Sequence, residues 1–328
     1  MKKVARMLLG TPVLLAASLA LGSAWAENLT LYTSQPDADA AKTVEAFKKV
    51  NPDIEVQVYR SGTSEIMSKL AAEFAAGAAQ ADVLLIADAV SMESLKKQDK
   101  LQAYEKANVE GFAADSYDAG KTYFGSKLIT TGIAYNSAAP SKPAHWADLA
   151  KPEYKGAIVM PSPLYSGAAA YLLSGFVANP EFGWDYFEKL KANETVSVRG
   201  NGAVLKSVAS GEKPYGILVD FMALNAKAKG SPIEFVFPSE GVPAVTEPVA
   251  IMAGAKNVPA AQKFVDFILS DEGQKLALEQ GYLPAKPSIG RPGWLPEGVE
   301  VKVMPIETQK VLQQTDADKA KFGQMFGG

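Results

Sequence analysis

Three short turns, Ser61-Gly62-Thr63, Ser166-Gly167-Ala168 and Asn201-Gly202-Ala203, combine small and hydroxyl- or amide-bearing residues, and each opens a stretch with helical spacing of apolar residues. The first turn of a helix has N–H groups without an intrahelical partner, and the aligned peptide dipoles add positive potential there. Three such ends converging on one point would hold an anion through backbone N–H groups and hydroxyls, with no need for lysine or arginine. Capping alone would explain any one of these turns, because the same residue types are preferred N-caps. The repetition is what points to a ligand. Arg60 and Arg199 stand beside two of the turns, as ligand contacts or as solvated surface charges. Asp88 and Asp220 each follow an apolar run, where a carboxylate serves as a helix cap or a ligand contact. Next to an anion cradle, such carboxylates would take an ammonium or hydroxyl end, so the expected ligand is anionic or zwitterionic. Glu247 could join them or be solvated near a hinge.

Positioning these residues is the task of two α/β units. Residues 29–32 and 54–59 have strand character, residues 40–50 carry Ala40, Val44, Phe47 and Val50 at helical spacing, and Ile66, Met67, Leu70 and Phe74 repeat that spacing. Residues 82–86 form an apolar run suited to a strand buried on both faces. The resulting βαβαβ order predicts a parallel sheet, with the ligand crevice beyond its strand ends, where Ser34, Ser61 and Asp88 emerge. A second set follows: strands over 129–135, 157–160, 196–198, 215–219 and 233–237, and helices from Gly167, over 181–193 and from Gly202. Residues 249–253 return as a strand, and 259–280 make two helices broken at Ser270-Asp271. The expected fold class is therefore α/β, a two-lobed clamshell with its cleft between lobes joined by two crossing strands. Lobe one would comprise residues 27–125 plus 250–280, and lobe two 126–249 plus 281–328.

The chain has 328 residues, 48% of them hydrophobic and 21% charged, which suits two folded cores. Its start differs: Lys2, Lys3 and Arg6 precede an apolar run over 7–21, and Ala24-Trp25-Ala26 supplies a small-x-small cleavage pattern. Residues 1–26 are expected to be a signal peptide cleaved after Ala26, releasing an exported protein. Loss of those residues leaves 30 basic against 36 acidic side chains, a charge that argues against nucleic acid as partner. There is no cysteine, which excludes a thiolate metal site, a disulfide framework and a cysteine nucleophile. The lone His145 lies in a loop entering a helix, so neither a Ser-His-Asp triad nor a histidine-rich metal site can be assembled. No enzyme activity, cofactor or metal is expected.

Leu31-Tyr32-Thr33-Ser34, Ser61-Gly62-Thr63, Ala81-Asp82-Val83, Trp146-Ala147-Asp148-Leu149, Tyr154-Lys155-Gly156, Ser166-Gly167-Ala168, Gly254-Ala255-Lys256-Asn257 and the stretch 264–273 occur in an order and spacing that carry a resemblance. Over residues 27–290 the chain resembles the periplasmic solute-binding proteins of ABC importers, in the branch of ferric-iron-binding proteins and their phosphonate- and phosphate-ester-binding relatives. That resemblance implies a periplasmic-binding-protein clamshell, a periplasmic monomer and a cognate permease in the inner membrane. It implies ligand contacts at Ser34, Ser61, Gly62, Thr63, Asp88, Ser166, Gly167, Ala168, Asn201, Gly202 and Asp220. The positions where the family's iron binders place histidine, glutamate and two tyrosines hold Pro36, Ala87, Phe221 and Met222 here. Hard-metal donors are thus missing, and the resemblance implies a phosphonate or phosphate ester, with 2-aminoethylphosphonate the first candidate and Asp220 its ammonium partner. A ferric-iron carrier and a secreted phosphoester hydrolase are the alternatives.

Overall fold

The computed structural model describes residues 27–327 apart from 296 and 299. The leader expected over 1–26 lies outside the described residues. The first part of the chain is β1 (Glu27–Thr33), α1 (Asp37–Val50), β2 (Ile54–Arg60), α2 (Thr63–Ala75), β3 (Val83–Leu85), α3 (Ala89–Lys97) and the short β4 (Leu101–Gln102). The long β5 (Phe124–Asn136) leads into β6 (Ile158–Pro161), α4 (Gly167–Ala178), α5 (Gly183–Ala192), β7 (Val196–Val198), α6 (Asn201–Ala209), β8 (Tyr215–Val219), α7 (Asp220–Ala228) and β9 (Ile233–Val236). Then come β10 (Ala244–Met252), α8 (Val258–Leu269), α9 (Asp271–Glu279), β11 (Leu283–Pro284) and α10 (Thr308–Phe326).

Each lobe is built on parallel strands, and the lobes share two antiparallel ones. β1 pairs in parallel with β2 and β3, and β6 with β7 and β8. β10 runs antiparallel to β3 and to the first half of β5, whereas the second half of β5 pairs with β8 and β9. One strand thus passes from one sheet to the other, the geometry of a hinge. The ladder between β5 and β10 is irregular there. Thr246 faces Leu128 and Pro248 faces Gly125, so Ser126 and Lys127 together stand opposite Glu247 alone. Such a bulge re-aims side chains and twists the strand locally.

Burial separates the lobes. In the first, Phe47 of α1 meets Phe264 and Phe267 of α8 edge-on at 5.0 and 5.7 Å. In the second, Phe176 of α4 stacks on Phe182 at 4.3 Å and meets the edge of Trp146 at 5.1 Å. These are the geometries aromatic quadrupoles favour. The break expected at Ser270-Asp271 is present. Ser270 ends α8 and caps α9, its Oγ accepting from Gly273 N at 3.1 Å. Ser270→Ala should therefore lower stability by about 1 kcal/mol, the usual cost of losing an N-cap, as read from the urea midpoint at unchanged m-value.

Three features differ from the sequence expectation. β5 begins at Phe124 rather than 129, because Gly125, Ser126 and Lys127 interrupt the apolar pattern while staying in the ladder. Residues 220–228 form α7, a helix absent from the sequence expectation. Residues 316–321, whose lysines and aspartates suit a solvated helix face, belong to α10, which nevertheless buries Asp318 against Ser174 of α4. Burial raises the Asp318 carboxyl above its ordinary pKa. α10 also touches the first lobe, where Lys97 Nζ donates to Gln309 Oε1 at 3.1 Å. Among the described residues no helix is long and apolar enough to cross a membrane.

Candidate functional site

The N-termini of α2, α4 and α6 meet at a cavity of about 370 Å³ between the lobes. Gly62 and Thr63, Ser166, Gly167 and Ala168, and Asn201 and Gly202 all line it, together with Ser34 from the end of β1. The chain folds this way because each turn leaves a strand edge, and helix direction then aims the unpaired N–H groups back across that edge. Ser34 Oγ accepts from Ala87 N at 2.8 Å. Ser166 Oγ accepts from Ala169 N at 3.3 Å and from Asn201 Nδ2 at 3.1 Å. Both serines are thus bonded as acceptors, which leaves their hydroxyl hydrogens to donate to a ligand. Ile129, Val219, Phe221, Met222 and Tyr282 add a largely apolar part to the lining.

The lobes are closed on each other along one edge of this cavity. Ser64 N donates to Tyr165 O at 3.2 Å, and Ser64 Oγ donates to Pro163 O at 3.0 Å. A Cβ at Gly62 would overlap Tyr165 O and lie 2.8 Å from the ring, so glycine is what permits this approach. Gly167 has a related role: a Cβ there would overlap Ala87 O and Asp88 Oδ2 of the first lobe. One donor of the α2 terminus is consequently spent on the seam between the lobes rather than on a ligand. Arg60 Nη1 donates to the Tyr165 hydroxyl at 3.0 Å, and Arg199 lies over the Tyr165 ring at 4.6 Å. Arg199 also reaches Glu65 across the seam at 3.0 Å, with its side chain 69% exposed. Because such exposed pairs contribute little, Arg199→Ala should weaken binding by about fivefold at most. That loss should disappear at high salt in a calorimetric titration.

Three residues expected at the site are placed elsewhere. The Ser61 hydroxyl turns to the Glu65 carboxylate, which takes it away from the cavity. Asp88 caps α3, its Oδ1 accepting from Ser91 N at 2.6 Å, and its carboxyl, raised by burial, lies on the far side of the seam. Its φ of 143° is unusual for a residue with a side chain and marks a strained turn. Asp220, the first residue of α7, accepts from Thr130 Oγ1 and from Phe221 N at 2.7 Å each. Burial pushes its carboxyl up to about 6. It contributes nothing to the cavity wall.

Two carboxylates do line the cavity, the exposed Asp37 and the buried Glu247, the latter at the β5–β10 bulge. Lys127 Nζ sits 2.7 Å from Glu247 Oε2, both side chains at most 3% exposed, and lies 3.9 Å over the Tyr282 ring. Tyr282 in turn donates to Asp39 Oδ2 at 2.8 Å. Lys127 and Tyr282 escaped the sequence reading. The available signal was a lysine inside an otherwise apolar strand, a position that demands a buried partner. Pro36, Ala87, Phe221 and Met222, the positions matched to metal ligands, all border the cavity. Among the described residues no group of three or more His, Asp or Glu could hold a metal ion.

Two α/β lobes closed over a cavity ringed by helix N-termini define a protein that captures a small solute. The chain belongs to the bacterial extracellular solute-binding protein family, whose sequence model matches residues 42–303. It is similar to a probable ABC transporter periplasmic-binding protein of Sinorhizobium fredii, 28% identical over 281 residues that cover 80% of this chain and 76% of the relative. The spermidine/putrescine-binding periplasmic protein of Escherichia coli is 27% identical over 219 residues, 61% of this chain and 62% of that one. In structure, the periplasmic binding protein AfuA of Actinobacillus pleuropneumoniae, with fructose-6-phosphate bound, aligns with a TM-score of 0.83 at 23% identity, over 92% of this chain and 98% of AfuA. That likeness establishes the shared fold.

Proposed function

We propose that this chain is the periplasmic solute-binding component of an ABC importer, that it captures a small phosphonate or phosphate ester as a monomer, and that it delivers the ligand to an inner-membrane permease. The supporting observation is the convergence of three helix N-termini and two donor hydroxyls, Ser34 and Ser166, on one cavity between the lobes. A tetrahedral oxyanion matches that donor set. The proposed contacts are Ser34, Gly62, Thr63, Ser166, Gly167, Ala168, Asn201 and Gly202, with the apolar part of the lining against the ligand's body. The proposed lobe division is 27–125 plus 250–280 against 126–249 plus 281–328, with α10 reaching across it. A polyamine, the ligand named for the Escherichia coli relative, would bring ammonium groups against the positive ends of three helices.

Thermal denaturation and calorimetry with methylphosphonate, hexose phosphates, putrescine and ferric citrate test the reading. A ligand present at a hundredfold excess over its Kd stabilises the native state by about 2.7 kcal/mol, a shift readily measured. Stabilisation by phosphonates or phosphate esters is the expected result. Stabilisation by putrescine or ferric citrate alone overturns it, and turnover of a phosphate ester would make the protein a hydrolase.

A further inference from the structure

One residue meets the starts of all three helices that ring the cavity. Gly62, Ser166 and Gly200 are the N-caps of α2, α4 and α6, and Tyr165 directly precedes the second of them. Its ring packs on the other two. A Cβ at Gly200 would come 2.8 Å from the ring's Cδ1 and 2.9 Å from its Cε1, and one at Gly62 would lie 2.8 Å from both Cδ1 and Cδ2. Neither glycine is needed for its backbone, since φ is -72° at Gly62 and -169° at Gly200, values open to any residue. The missing side chains are what admit the ring. Its far end is held as well: the hydroxyl accepts from Arg60 Nη1 at 3.0 Å, and Arg60 is itself fixed by donating from Nε to Gln35 O at 2.7 Å. Arg199 covers the ring at 4.6 Å. Tyr165 also lines the cavity.

Resting on the phosphonate or phosphate-ester reading of the cavity, we propose that Tyr165 is the spacer that sets the separation of the three helix N-termini when the lobes close, and that this spacing selects tetrahedral oxyanions over planar carboxylates. The two kinds of anion differ in shape. A phosphonate, a phosphate ester or a sulfonate presents three oxygens around one atom, enough to meet three groups of N–H donors at once. A carboxylate presents two, in one plane with its carbon, and leaves the third helix end unserved. Selectivity is the difference between those affinities, and it lasts only while the three ends are held apart. In the proposed lobe division α4 and α6 belong to one lobe and α2 to the other, so neither lobe alone maintains the arrangement. The ring does so, because it travels with α4 and stops against Gly62. Arg60 and Arg199 hold the ring from the two lobes. Their charge adds to the positive potential of the helix ends and favours either shape of anion alike.

Methylphosphonate, methanesulfonate and acetate are the probes, the last two carrying the same single charge in different shapes. In calorimetric titrations the wild type should bind methanesulfonate about tenfold or more tighter than acetate, the gain from a further hydrogen bond to a charged acceptor. Tyr165→Ala removes the spacer, and Gly200→Ala pushes the ring off α6 without straining the helix start. In both, that preference should fall to about threefold or less. Tyr165→Phe keeps the ring and loses only the bond to Arg60, so it should weaken all three anions together by about two- to tenfold while the preference stays. Urea midpoints of the ligand-free variants check that each is folded, and should Tyr165→Ala unfold, Gly200→Ala decides alone. If the folded variants lose affinity for all three anions equally and keep the preference, Tyr165 only fastens the lobes and the inference is wrong. It is equally wrong if the wild type binds acetate as tightly as methanesulfonate, and in both cases binding of methylphosphonate leaves the anion reading standing. Failure of the wild type to bind any of the three overturns both.

Discussion

Replacing Gly167 by valine is expected to weaken phosphonate binding by about 100-fold or more while leaving the ligand-free protein folded. Gly167 is the first residue of α4 and does not need a glycine backbone conformation, so valine is compatible with the helix itself. The obstacle lies across the seam. A Cβ would overlap Ala87 O and Asp88 Oδ2 and come within 2.8 Å of Thr63 Cβ, all in the opposite lobe. Overpacking of this kind costs ~1–3 kcal/mol, and it falls only on the closed state. If closure becomes a 1% minority as a result, apparent affinity drops by about 100-fold, because the ligand must first bear the cost of closing the lobes. Small-angle scattering should show the wild type compacting with ligand and Gly167→Val staying extended. Gly167→Ala has the same clash with less bulk and should fall between them. Wild-type affinity and compaction in the valine variant would remove Gly167 from the closing seam.

The same residue shows what could be read without coordinates. Small residues at helix starts are visible because backbone chemistry is local: an N-terminus must leave its N–H groups unpaired wherever the chain places it. The convergence of three such ends follows from α/β topology, where every strand delivers its successor helix to the same edge. Opposing contacts are not local. That Gly62 and Gly167 face backbone of the other lobe depends on how the lobes close, and nothing in their neighbours in sequence encodes the distance. The acidic residues illustrate a second limit. Asp88 and Asp220 follow apolar strands as Glu247 does not, so strand-end logic favoured them, yet it could not say which direction each carboxylate takes. A bulge that sets Ser126 and Lys127 against Glu247 decides it for the residue that was passed over. Bulges are shifts of register by one residue, and alternation of apolar and polar positions is too coarse to locate them.

The second large effect concerns pH and Asp220. Its carboxyl is 1% exposed, and burial raises it from the ordinary 3.8 to about 6 despite the hydrogen bonds from Thr130 and from Phe221 N. A group whose native pKa is raised holds its proton in the folded state after the unfolded chain has released it. Stability from this group is therefore complete below pH 3.8 and is lost as pH rises through about 6. A shift of roughly two units corresponds to about 3 kcal/mol of stability lost between pH 4 and pH 7. Asp220→Asn titrates in neither state and so escapes the loss. At pH 4 the wild-type carboxyl carries its proton, so both proteins set one carbonyl oxygen and one donor against Phe221 N and the Thr130 hydroxyl, and their stabilities should be similar. By pH 7 the variant should be the more stable protein, the difference between the two having moved by about 3 kcal/mol in favour of asparagine. Urea titrations of both proteins at unit intervals from pH 4 to 7 measure this directly. The affinity for phosphonates should be the same in both, because Asp220 faces Thr130 and not the cavity. A stability difference that stays constant across the range would mean that Asp220 ionises in the fold as it does in water, and its burial against Thr130 would then have to be wrong.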